Sequence, residues 1–201
     1  MIRVYGLTGG TGSGKTAAAR RFEQNGIPVI DADKTGHDLI GRNGGAYQQL
    51  IETFGPGILV GDDIDRAKLG DLVFADEEAR KKLNAIVHPL IFQVISRKCA
   101  ELARQGYQAA IVDAALLAEH GRREPWLDGL ILISAPRDVR AARLVAARVI
   151  TPEKAKQRID AQSDPEKKRA VADWVVENIG NLQDLYAKVD KIAGEINAGT
   201  T

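Results

Sequence analysis

Residues 2–16 read Ile2-Arg3-Val4-Tyr5-Gly6-Leu7-Thr8-Gly9-Gly10-Thr11-Gly12-Ser13-Gly14-Lys15-Thr16, and this stretch decides the fold. Ile2 to Leu7 is a short apolar segment rich in strand formers, and Lys15 to Asn25 reads as a helix. Between them, Gly9 to Thr16 satisfies the pattern Gly, four residues, Gly, Lys, Thr. A loop in that position turns its amides toward an anion at a helix N-terminus. Glycine allows the close approach and positive φ that phosphates demand. Thr11, Gly12, Ser13 and Gly14 are the candidate cradle, Lys15 the cation for the β and γ phosphates, and Thr16 the hydroxyl for Mg²⁺. The plainer alternative, a glycine-rich turn with an exposed lysine, leaves the strand and helix on either side without a purpose.

Outward from this loop, Gly26 stops the helix and Ile27 to Ile30 supplies a second strand ending on Asp31-Ala32-Asp33. From about Gly44 to Gly106 the pattern is helical, with Tyr47, Leu50, Ile51 and Phe54 on one face and Leu83, Ile86, Val87, Leu90, Ile91 and Val94 on another. Strand character returns at Ala109–Val112, stopping at Asp113, and at Leu130–Ile133 before Pro136 opens a helix. Val139 to Ala161 fits two helices broken at Thr151-Pro152, Trp174 to Val176 is a last strand, and Leu182 to Ile196 an amphipathic helix. The alternation predicts an α/β fold, a mostly parallel sheet flanked by helices, in a nucleotide-binding core of 1–43 and 107–201 interrupted by a helical insertion of 44–106.

Composition bounds the function. The chain has 201 residues, with 28 Lys and Arg against 27 Asp and Glu, so no net basic field favours nucleic acid or a membrane surface. The partners expected are small molecules. No apolar run approaches a membrane span or a signal peptide, and the single cysteine, Cys99, cannot make an internal disulfide; both point to the cytoplasm.

A phosphate loop alone does not separate a hydrolase, a switch and a kinase. Asp31 and Asp33 lie just beyond the second strand, where ligands of parallel sheets gather. Asp33 reads equally as an acceptor for the proton of a substrate hydroxyl or as the N-cap of the next helix, and Asp31 as a turn residue. Asp113, at its strand end, suits the acid of a nucleotide site. Arg140 and Arg143, three apart on a helix, share a face that either closes over transferring phosphates or is simply solvated. Pro89 restricts His88 to an extended or turn conformation, a break at which a ligand could be met. His37 and His120 have no acid or cysteine spacing of a zinc site.

Several separated motifs agree in order with one family. They are the phosphate loop; Val29-Ile30-Asp31-Ala32-Asp33; Arg66, Leu69 and Phe74; Leu83-Asn84 and His88-Pro89; Asp113 with Leu116-Leu117 and Glu119; Arg143-Leu144; Ala161-Gln162; and Ala172-Asp173 with Asn178 and Gly180. From Gly6 to about Leu185 the chain resembles the dephospho-CoA kinase family. The resemblance implies a P-loop kinase core, a helical domain for the CoA precursor and a mobile helical lid at 137–162. The reaction it implies is transfer of the γ-phosphoryl group of ATP, with Mg²⁺, to the ribose 3′-hydroxyl of dephospho-CoA, the last step of coenzyme A synthesis. It makes Asp33 the base and places His88, Asp113 and Leu116 with it toward the acceptor. Asn178 and Gly180 go to the adenine end of ATP, while Lys15, Arg143 and Arg140 supply catalytic charge. Another small-molecule P-loop kinase and a noncatalytic nucleotide-binding regulator are the competing readings.

Three positions depart from the family pattern, which has Pro at Ala115, Gln at Arg140 and a second lid arginine at Ala147. Arg148 stands one residue later, about 100° around a helix, and so points elsewhere. Arg140, one turn before Arg143, is the candidate substitute for the missing charge.

Overall fold

In a computed structural model describing residues 2–118, 121–147, 150–162 and 165–199, β1 (Arg3–Gly9) runs through the phosphate loop into α1 (Lys15–Gln24). There follow β2 (Val29–Asp31), α2 (Ala32–Ile40), α3 (Tyr47–Phe54), a small hairpin of β3 (Leu59–Val60) and β4 (Asp63–Ile64), α4 (Arg66–Ala75) and α5 (Glu77–Arg104). The chain then forms β5 (Ala109–Asp113), β6 (Gly129–Ser134), α6 (Arg137–Ala146), α7 (Pro152–Asp160), α8 (Pro165–Arg169), β7 (Trp174–Glu177) and α9 (Leu182–Ala198). Arg148 and His120 lie outside the described residues.

The main sheet has the order β2-β5-β1-β6-β7, with β1 parallel to both β5 and β6, and β6 parallel to β7. Strands covered on both faces need near-continuous apolar runs, and β5 and β6 have them, all of Ala109–Val112 and Leu130–Ile133 being buried. The register sets Leu7 beside Asp113 and Gly9 beside Ile133. The phosphate loop therefore leaves the sheet between two strands that come later in the chain, the switch point at which open α/β sheets bind ligands.

Phe22 and Ala18 of α1 pack with Leu185, Val189, Ile192 and Ile196 of α9 against Tyr5, Leu7, Ile111, Ile131 and Ile133 of the sheet. Burying an aliphatic or aromatic side chain of this size contributes about 1.5–3 kcal/mol, so this face anchors the helix that the phosphate loop opens. The two helices are also joined at their rims. Arg21 Nε donates to Asp190 Oδ1 at 2.6 Å and Asn25 Nδ2 donates to the same oxygen at 2.8 Å. Those hydrogen bonds, Arg21 first, hold the Asp190 carboxyl down at about 2.

By its packing the chain forms two compact units, Met1–Ile30 with Cys99–Thr201, and Asp31–Lys98. The hydrophobic pattern set the boundaries of the insertion at 44 and 106. In the structure Leu39 and Ile40 of α2 pack into the cluster of Leu50, Ile58, Leu69, Ile86 and Val87, and Cys99 is buried in the sheet-bearing unit.

Two local expectations are corrected. The chain does not break at His88-Pro89, because α5 is helical from Glu77 to Arg104 with Pro89 inside it. An interior proline costs about 3 kcal/mol. Leu83, Ile86, Val87, Leu90 and Ile91 around it all join the apolar cluster, and their burial offsets that cost. The cap of α2 is Asp31, whose Oδ1 accepts from Lys34 N at 2.7 Å, and Asp33 stands in the first helical turn. Capping needs an extended residue before the helix, and the strand delivers Asp31 in that state at φ −77°, ψ 103°.

Candidate nucleotide site

The loop between β1 and α1 is closed by Ser13 N donating to Gly10 O at 3.0 Å. It needs left-handed backbone at Gly12, φ 79°, and at Gly14, φ 100°. Gly14 is the N-cap of α1 and offers no side-chain acceptor, so the first amides of the helix face outward without a cap from within the chain. Ser13 is buried and, among the described residues, its Oγ has no hydrogen-bond partner. A concave array of amides, an orphan buried hydroxyl and two glycines that admit no Cβ fit a phosphate group.

Lys15 Nζ pairs with the Asp113 carboxylate, with the two side chains only 17% and 11% exposed. The strand register produces this pair, since Asp113 ends β5 beside the strand that feeds the loop. Thr16 is exposed on the first turn of α1. Among the described residues no three His, Cys, Asp or Glu side chains gather as a metal nest.

Arg140 and Arg143 both lie on α6, but their side chains go to different ends of the loop. Arg140 is 7% exposed; its Nε donates to Thr11 O at 2.8 Å and its Nη2 to Gln162 Oε1. Burial lowers its pKa. Gln162, just beyond α7, also accepts from Thr11 N at 3.1 Å and donates to Thr11 Oγ1 at 3.1 Å. The solvated-face reading of Arg140 is thereby excluded.

Arg143 Nη2 reaches Asn178 Oδ1 at 3.3 Å and Gly180 O at 3.4 Å, and its Nη1 is buried with no hydrogen-bond partner among the described residues. Asn178, at the end of β7, is buried and donates from Nδ2 to Ser13 O at 2.7 Å. Arg143, Asn178 and Gly180 line a cavity of about 310 Å³ whose apolar wall is Ala17, Leu182 and Leu185. That is the size and chemistry of a small-molecule cleft, roughly 300 Å³ upward.

Phosphate-loop residues, Asp113, Arg140, Arg143, Asn178 and Gly180 are thus gathered in the sheet-bearing unit. Asp33, half-buried on α2, and His88, exposed on α5, are carried by the 31–98 unit. Leu116 is 63% exposed in the turn after β5. Reading from sequence missed Lys168, which is buried and donates from Nζ to Ala115 O and, at 3.4 Å, to Thr8 Oγ1, tying the turn after Asp113 to β1. No signal marked it, because Glu166-Lys167-Lys168-Arg169 reads as a solvated charge run.

A family model described as dephospho-CoA kinase matches residues 3–184. A dephospho-CoA kinase of Bacillus licheniformis is 39% identical over 193 residues, covering 96% of each chain. The crystal structure of a Thermus thermophilus protein superposes with a TM-score of 0.82 at 33% identity, covering 96% of this chain and 97% of that one. The dephospho-CoA kinase from Campylobacter jejuni gives a TM-score of 0.61 at 26% identity, with 97% of both chains covered.

Proposed function

The chain belongs to the dephospho-CoA kinase family, and from that premise we propose that it transfers the γ-phosphoryl group of ATP to the ribose 3′-hydroxyl of dephospho-CoA, completing coenzyme A. The observation that carries the reading is the phosphate loop between β1 and α1, with Lys15 held against Asp113 at its mouth.

The acceptor oxygen forms a bond to the γ phosphorus as the bond to the ADP oxygen breaks, and the hydroxyl proton passes to Asp33. Little covalent chemistry falls to the protein, so positioning and charge do most of the work. The amides of Gly12 to Thr16 and the Lys15 ammonium take the phosphates. Asp113 keeps that ammonium aimed along the loop. Arg143 has a buried donor to give to a phosphate oxygen as charge builds. The adenine lies in the cleft of Ala17, Leu182 and Leu185, against Asn178 and the Gly180 backbone.

Mg²⁺ fits this donor set through the Thr16 hydroxyl and the nucleotide's own oxygens, and when bound it neutralises charge on the β and γ phosphates. Asp33 and His88 of the 31–98 unit are the acceptor-side groups there, Asp113 and Leu116 those of the sheet-bearing unit, and α6 and α7 form the lid. A cytoplasmic location accords with the lone, buried Cys99. The test is incubation with ATP, Mg²⁺ and dephospho-CoA, with the product identified by mass. A gain of one phosphoryl group at the 3′ position is expected. Turnover only on a nucleoside or sugar would refute the acceptor.

A further inference from the structure

Arg140 carries a buried charge that no described residue neutralises. Its two acceptors, the Thr11 carbonyl and the Gln162 carboxamide, are both neutral, and among the described residues no carboxylate stands within ion-pair distance of it. Other arginines near the same edge are treated differently. Arg137 pairs with Asp160 at 2.5 Å, and Arg169 pairs with Glu177 and with Glu166. A desolvated guanidinium ordinarily acquires such a partner, because burial of an unpaired charge is unfavourable.

The charge sits where phosphate is handled. A Cβ built on Gly10 would lie 2.7 Å from Arg140 Cζ and 2.9 Å from Gln162 Oε1. Gly10, Ser13, Arg140, Gln162 and Lys168 line one small cavity. Ser13 Oγ, in that lining, is the buried hydroxyl without a partner. Gln162 is the only side chain described that grips Thr11 at both its amide and its hydroxyl. Glutamate in its place would present the same oxygen to Thr11 N and pair with Arg140, at the expense of the bond to Thr11 Oγ1.

We propose that Gln162 is a positioning residue for the nucleotide: holding Arg140 with a neutral carboxamide where a carboxylate would fit, it fixes the guanidinium on the phosphate loop and leaves its charge for phosphate. Stability and affinity then pull in opposite directions at this position. A carboxylate would satisfy the fold and compete with ATP for the same cation. The inference rests on the loop being the ATP site, and is independent of which acceptor receives the phosphoryl group.

The test compares wild type, Gln162→Glu and Gln162→Ala by calorimetric binding of MgATP and by thermal unfolding. Gln162→Glu should melt at or above the wild-type temperature while its Kd for ATP rises at least about tenfold, the scale of one charge-assisted hydrogen bond lost. Gln162→Ala should melt lower, with a smaller loss of affinity. In the Arg140→Gln background Gln162→Glu should instead lower the melting temperature, because the new carboxylate has lost its partner. A glutamate variant that binds ATP as wild type does, or that is unfolded or melts well below wild type, overturns the proposal. Wild type that binds ATP but leaves dephospho-CoA unphosphorylated would refute the assigned reaction and leave this inference standing.

Discussion

Asp31 and Asp33 stand two residues apart at the start of α2, and substitution separates a helix cap from a catalytic base. Asp31 Oδ1 accepts the Lys34 amide at 2.7 Å, a hydrogen bond that alanine cannot make. Loss of an aspartate cap costs about 1 kcal/mol, within a range of roughly 0.5–2 kcal/mol. For a chain of this length each kcal/mol moves the melting temperature by about 2–4 °C, so Asp31→Ala should melt a few degrees lower. Its kcat should change by less than about threefold, since a lost cap mainly frays one turn. Asp33→Asn should behave in the opposite way. Asparagine keeps the size and polarity of a first-turn side chain but cannot take a proton, so kcat should fall by at least about a hundredfold. That is about 2.7 kcal/mol of barrier, with a smaller change in ATP affinity. Release of ADP at saturating ATP and dephospho-CoA reports kcat, and scanning calorimetry of the same preparations reports stability. Asp33→Asn with near wild-type kcat, together with Asp31→Ala that is inactive but melts normally, would exchange the two roles and refute the assignment.

Lys15→Ala should nearly abolish transfer while the circular dichroism spectrum stays native, with a lower melting temperature because Asp113, 11% exposed, loses its ion-pair partner; a folded variant with near wild-type turnover would remove Lys15 from the site. Arg143→Ala should cost on the order of 3 kcal/mol of transition-state stabilisation. Its melting temperature should fall by a few degrees at most, since the two Nη2 contacts, at 3.3 and 3.4 Å, are long and among the described residues the buried Nη1 has no partner to lose, and comparable losses of stability and kcat would make Arg143 structural. The Asp190 carboxyl, held at about 2 in the folded protein, is depressed below its unfolded value near 3.9. Its stabilisation is therefore complete above about pH 4 and is lost as pH falls through the folded value. Asp190→Asn should lower the melting temperature at pH 7 and converge on wild type as the pH is taken below about 4; a gap independent of pH would assign the effect to packing.

Most of the sheet-bearing unit is legible along the chain because its signals are local. The glycine spacing from Gly9 to Thr16, the apolar runs of β5 and β6 and the Thr151-Pro152 helix start each depend on neighbours a few residues away. Helix continuity at Pro89 was not legible, because a local rule about proline was outweighed by the cluster that Leu83, Ile86, Val87, Leu90 and Ile91 join. The identity of the α2 cap was equally hidden, since Asp31 and Asp33 are the same residue type and only the end of β2 decides which is extended.

By itself the sequence determined the α/β class, the phosphate loop with Lys15 and Thr16, and the strand-end placement of Asp113, all of which follow from periodicity and spacing. The tertiary structure alone decided what the polar side chains meet. Arg140 and Arg143 share a helix and a spacing, yet one ends on Thr11, 129 residues away, and the other on Asn178, 35 residues away. Lys168 lies in a charge run and is nonetheless buried. The reason is physical: a helix or strand forms from interactions within a few residues, whereas the partner of a buried charge is whichever group the packed elements bring within hydrogen-bond reach, and no local pattern encodes that distance.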